Sequence, residues 1–147
     1  RALSVAPLTL AIPALSNLAR DEVWFVRLRA AAALNEIPHP RVIPILLEAV
    51  RDSNRLVRMK AASALAKFQQ DTLEILQSVV DSRDRYALHA MISALELGGG
   101  FEKVMAELSD PLLHDQTARH LLDALREGAT SLWGARPADP VVESVFP

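Results

Sequence analysis

Apolar and polar positions along the chain recur in blocks of about thirty residues. An Ala-Leu pair stands at Ala2-Leu3, Ala33-Leu34, Ala64-Leu65, Ala94-Leu95 and Ala124-Leu125. Ahead of the second pair, Val26, Ala30, Ala33 and Leu34 fall at i, i+4, i+7 and i+8, the spacing that places residues on one face of a helix. Asp21, Val26, Arg27, Ala30, Ala31, Ala33 and Leu34 are matched at a constant offset of 31 by Asp52, Val57, Arg58, Ala61, Ala62, Ala64 and Leu65. Ala87, Met91, Ala94 and Leu95 form a looser third copy, and Thr117, Leu121, Ala124 and Leu125 a fourth. A fixed period in the range of 20 to 50 residues marks a solenoid, in which each unit buries its apolar face only against its neighbours.

Each of these helices, termed A helices, is followed by a second amphipathic stretch, a B helix, over Val42–Val50, Leu73–Val80 and Phe101–Leu108. The intervening punctuation is Pro38 and Pro40, then Gln69 and Gln70, then Gly98, Gly99 and Gly100. Asp21, Asp52, Asp81 and Asp110 precede the A helices, where carboxylates can accept the free N–H groups of a first turn. The pattern predicts an all-α, right-handed α-α superhelix over 1–127. It divides into a half hairpin at 2–20, full hairpins at 21–51, 52–80 and 81–109, and a last helix at 110–127. Gly128, Gly134, Pro137, Pro140 and Pro147 leave 128–147 as an irregular tail or cap. Because the first unit lacks most of its A helix and the chain opens on Arg1, the sequence reads as a segment of a longer protein.

Composition supports the helical reading. Half the residues are hydrophobic, only 5% are aromatic, and alanine and leucine dominate over the β-branched types that strands favour. With no cysteine there is no disulfide and no thiolate chemistry, which leaves the compartment open. No apolar run approaches the roughly 18 residues needed to cross a bilayer. Net charge is −2, but it is unevenly spread: residues 1–67 hold ten Lys or Arg against five acids, and 68–147 hold six against thirteen.

The motif of an aspartate, then Val-Arg, then Ala-Ala-x-Ala-Leu, carried by Asp21, Val26, Arg27, Ala30, Ala31, Ala33 and Leu34 and repeated in full from Asp52, resembles the HEAT repeats. More narrowly, it resembles the short bacterial HEAT-like repeats of phycobilin lyase subunits. The likeness is strong over 21–81 and weaker beyond, where Leu88 replaces the motif arginine. It implies that Arg27 and Arg58 form a structural ladder with Asp21 and Asp52 or their neighbours, and that the third repeat joins the stack by packing alone.

Candidate chemistry is sparse. His39, His89, His114 and His120 show no metal-ligand spacing, the glycine triplet lacks the strand and the Lys-Ser or Lys-Thr of a phosphate loop, and Asp81 with Asp84 sits at a helix start. No catalytic, cofactor-binding or metal residue is assigned, and the chain is not expected to be an enzyme. The expected role is a protein-protein interaction scaffold, docking a protein partner or another domain of the parent protein along a concave face lined by B helices, with Glu48, Glu74, Gln77 and Ser78 as candidate contacts. Arg51, Arg55, Arg58, Arg83 and Arg85 form a possible basic rim for phosphates or an acidic segment, although interleaved acids weigh against nucleic acid. Of the adjacent Trp24 and Phe25, one is expected on the seam and the other exposed as an anchor. Two further expectations are a bilin-handling role, implied by the lyase resemblance alone, and self-association through the truncated N-terminal face.

Overall fold

The computed structural model describes residues 8–110 and 116–133, with side chains as far as Gly128. Among the described residues these α-helices follow one another: α1 Ile12–Leu18, α2 Trp24–Asn35, α3 Ile43–Ala49, α4 Arg55–Leu65, α5 Thr72–Asp81, α6 Arg85–Leu97, α7 Phe101–Leu108 and α8 Gln116–Trp133. Single 3-10 turns at Pro40–Val42 and Gln69–Asp71 lead into α3 and α5. There is no strand among the described residues, and the chain is an all-α repeat solenoid.

The even-numbered helices, which carry the Ala-Leu pairs, stack side by side as one layer: α2 on α4, α4 on α6 and α6 on α8. Their seam is fully buried at Ala31, Leu34, Val57, Ala61, Ala62, Leu65, Ala87 and Ile92. The alanines set the close approach of the helices, and the leucines supply the buried apolar area. The odd-numbered helices form the second layer through Ile12, Leu46, Ile75, Leu76, Val79, Val104 and Leu108. Pro13 and Pro44 lie in the first turns of α1 and α3, where no intrahelical N–H bond is lost.

The pairing of helices differs by one element from the expected hairpins. Each even helix through α6 packs more closely on the odd helix before it than on the one after it. Among the described residues the closer pairs are therefore α1/α2, α3/α4, α5/α6 and α7/α8, and the expected helix remnant at Ala2 and Leu3 lies outside the described residues. The reason is local. The turns entering α2 and α4 are closed by the side chains of Asp21 and Asp52, each of which accepts the N–H two residues on, from Val23 and from Asn54, at 2.8 Å.

The expected helix-start aspartates are thus displaced from the cap itself. Asn54 caps α4, its Oδ1 accepting from the N–H groups of Leu56 (2.8 Å) and Val57 (3.4 Å). Asp84 caps α6 in the same way, accepting from Tyr86 and Ala87. Asp81 instead ends α5 and accepts from Gln77 Nε2 at 2.8 Å. Between them Arg83 takes a left-handed φ of 58°.

The last helix also departs from expectation. It runs through Gly128 to Trp133 rather than stopping near Glu127. A Cβ at Gly128 would lie 2.9 Å from Ile92 Cδ1 and 3.0 Å from Leu88 Cδ2, so this glycine is where α8 closes onto α6, not where the helix breaks. Residues 134–147, most of the expected tail, lie outside the described residues. Gly98, Gly99 and Gly100 end α6 as expected: Gly99 adopts φ 76° and Gly100 N–H returns to Leu95 C=O at 2.8 Å.

Candidate functional site

The charged residues nearest the core are used to join repeats. Arg27, on α2, donates through Nε to Asp52 Oδ2 at 2.7 Å and through Nη2 to Asp52 Oδ1 at 3.1 Å. Its Nη1 reaches back to the carbonyls of Asp21 (2.8 Å) and Glu22 (3.1 Å). One guanidinium therefore ties the turn ahead of its own helix to the turn ahead of the next. The fork-to-fork geometry is the strong form of such a pair.

Arg58 occupies the equivalent place on α4. Its Nη1 donates to the carbonyls of Asp52 (3.0 Å) and Ser53 (3.2 Å), and its guanidinium lies 5.2 Å from the centre of the Tyr86 ring at the start of α6. Position 83, which is 31 residues after Asp52, is an arginine. The second junction thus includes a cation–π contact and is not packing alone. Tyr86 escaped the sequence reading; the sole tyrosine of the chain, two positions after Asp84 and next to Arg85, was the available signal.

Of the residues expected to meet a partner, Glu48 is engaged within the chain. Both its oxygens accept from Arg20, each at 2.9 Å, across an exposed junction between the end of α1 and α3. The hydrogen bond from Arg20 holds the Glu48 carboxyl below the usual carboxylate range, against a smaller opposing push from burial. Gln77 is held by Asp81, whereas Glu74 and Ser78 on α5 are exposed. A groove of about 380 Å³ separates α3 from α5, with Glu48 and Arg51 on one wall and Ser78 and Asp81 on the other.

Folding places the five arginines of the expected rim in different settings. Arg58 is buried and Arg51 faces the α3–α5 groove, while Arg55 and Arg85 are the exposed first residues of α4 and α6, and Arg83 is exposed in the preceding turn. Trp24 and Phe25 also depart from expectation, because both are exposed, with their rings edge to face at 6.1 Å. The helix pitch puts the seam instead on Val26, Ala30 and Leu34, so neither ring reaches it.

Folding turns the lengthwise charge imbalance into a difference between layers. Neither α2 nor α4 contains a carboxylate, although together they carry Arg27, Arg29, Arg55, Arg58 and Lys60. The odd layer holds Glu48, Glu74, Asp81, Glu102 and Glu107 on its helices. His39 accepts through Nδ1 from the Arg41 N–H in the turn before α3, His89 is half-buried, His120 is exposed, and His114 lies outside the described residues. Among the described residues no group of three or more His, Asp or Glu is placed to hold a metal ion, and no helix is long and apolar enough to cross a membrane.

Searches of curated proteins and of solved structures gave no match. The family model described as HEAT repeats matches residues 11–96, which spans more than half of the chain and runs from the start of α1 to the end of α6. Those are three of the helix pairs defined by the packing. With its turn aspartates, its Val-Arg helices and its side-by-side alanine seam, the chain belongs to the HEAT repeat family.

Proposed function

We propose that this chain is a non-catalytic docking module of a longer protein, holding a protein partner or a neighbouring domain along the odd-numbered helix layer. HEAT repeats are in general protein-interaction scaffolds and are typically non-catalytic. The observation that supports the choice of face is the α3–α5 groove, a shallow trough of mixed charge between Arg51 and Asp81, flanked by the exposed Glu74 and Ser78. Its open form and mixed polarity suit an extended peptide segment with alternating charges better than an apolar small molecule, which needs an enclosed and mainly hydrophobic pocket.

The test is capture of a protein by the immobilised chain at micromolar concentration, followed by the same capture with Glu74→Arg and Ser78→Arg. Retention by the wild type and loss with both substitutions is the expected result. Failure of the wild type to hold any protein, from native lysate or from the rest of its own parent chain, would remove the reading.

A further inference from the structure

The even-numbered layer exposes a second surface, with a different chemistry. Equivalent positions of adjacent helices form rows across it, because α2, α4 and α6 lie side by side and share the repeat register. One row is Phe25, Leu56 and Tyr86, the second residue of each helix. Phe25 is 53% exposed and Leu56 41%, while Tyr86 is half-buried beneath Arg58 and Arg85. Three residues further along, Met59 is 46% exposed. Trp24 stands beside Phe25, so the apolar row begins with a pair of aromatic rings.

Cations border this row on both sides. Arg55 and Arg85 occupy the first positions of α4 and α6, and Arg29 and Lys60 stand four residues after Phe25 and Leu56, on the same helix faces. Among the described residues none of Arg29, Arg55 and Lys60 has a carboxylate partner. Arg55 and Arg85 also sit at the positive ends of helix dipoles, an unfavourable place for a cation that an incoming carboxylate would relieve.

We propose that this stripe, from Trp24 and Phe25 through Leu56 and Met59 to Arg85, docks an acidic amphipathic helix lying across α2, α4 and α6. The occupant follows from charge and spacing. Neighbouring packed helices stand about 8–10 Å apart, and residues seven apart on a helix are separated by about 10.5 Å along its axis. A helix laid across the layer therefore presents successive heptad-related apolar residues to Phe25, Leu56 and Tyr86. Carboxylates on either side of that apolar line meet Arg29 and Lys60 on one border and Arg55 and Arg85 on the other. A phosphate backbone satisfies the cations but leaves the exposed rings and the Leu56 and Met59 side chains without a counterpart, so the stripe favours protein over nucleic acid. The proposal rests on the interaction reading above, but on the opposite layer.

The test uses fluorescence anisotropy of the full chain with a fluorescein-labelled helical peptide of 18 residues, Leu at a, d and e of each heptad and Glu elsewhere. Micromolar binding is expected, weakened about tenfold or more by Leu56→Glu combined with Met59→Glu. Arg29→Glu with Lys60→Glu should weaken it as well, and raised salt should do so in the wild type. Arg29, Leu56 and Met59 are exposed and Lys60 is half-buried, and an unchanged melting curve for each variant checks that folding is intact. The same peptide with Lys in place of Glu, and a duplex DNA of similar length, are expected not to bind. Absence of peptide binding, indifference to the Leu56 and Met59 substitutions, or equal binding of the duplex would each overturn the proposal. Capture of protein on beads separates the two readings: partners kept by the Leu56 and Met59 variant but lost with Glu74→Arg remove the stripe and leave the scaffold standing.

Discussion

Arg27 and Asp52 are 25 residues apart in sequence, yet two parallel N–H···O bonds of 2.7 and 3.1 Å join them, with side chains only 15% and 9% exposed. Asp52 also accepts the Asn54 N–H, so one carboxylate fixes a turn and a junction between repeats at the same time. Its replacement by alanine leaves a largely buried guanidinium without its anion. Asp52→Ala should lower the unfolding free energy by about 2–3 kcal/mol in urea denaturation. Arg27→Ala with Asp52→Ala should cost less than the sum of the two single changes, which a double-mutant cycle reads directly.

Asn54 is 3% exposed and closes the first turn of α4, whereas Val23, at the same place before α2, offers no side-chain acceptor. Asn54→Ala should destabilise the fold by about 1 kcal/mol and Asn54→Asp by much less, since the aspartate keeps the acceptor. Val23→Asn, adding the missing cap, should raise the melting temperature. A fall would show that the turn before α2 cannot accept the cap geometry.

The Arg20–Glu48 pair gives a pH dependence of defined sign. Because the Glu48 carboxyl titrates below its usual range in the folded chain, its contribution is fully present above the unfolded value and fades as pH falls through the folded one. Glu48→Gln should therefore lower stability slightly at neutral pH. The difference from wild type should close in acid and shrink in high salt, as both partners are exposed. Thermal melts at several pH values measure it; a difference that widened in acid would contradict the sign.

At Gly128 two effects oppose each other. Alanine gains helix propensity of about 1 kcal/mol, but its Cβ presses on the tips of Ile92 and Leu88. A larger side chain has no such room: Gly128→Leu should destabilise by about 1–3 kcal/mol through overpacking. Hydrogen exchange should show the loss first at α8 and the facing side of α6.

The even helices were legible in the sequence because their seam must be small and apolar at fixed spacing, so Ala33, Ala64 and Ala94 announce themselves. The odd helices followed from Ile43, Leu46 and Val50, and the glycine triplet from the need for one left-handed residue, which proves to be Gly99. Hairpin phase was not legible. A repeat of two helices has two possible starting points, and only the tighter contact of α3 with α4 than with α2 selects one. Asp52 and Asp84 look alike in sequence, but the first serves a neighbouring arginine while the second caps a helix. Gly128 carried the ordinary signature of a helix end, and only the approach of Leu88 and Ile92 reveals it as a contact. The arginine rim mixed residues that folding assigns to the core, a groove and an open layer. The exposed stripe went unseen because Phe25, Leu56 and Met59 resemble core residues until the helices are placed.

The three junctions of the even layer have different mechanics. Between α2 and α4 a planar fork fixes both distance and angle. Between α6 and α8 a bare backbone lies against two branched side chains, a contact set by shape that resists sliding. Between α4 and α6 Arg58, bonded to the turn ahead of its own helix, also rests on the face of Tyr86 at 5.2 Å. Each junction therefore carries its own chemistry, and a ligand spanning Leu56 and Tyr86 would brace the α4–α6 one from outside.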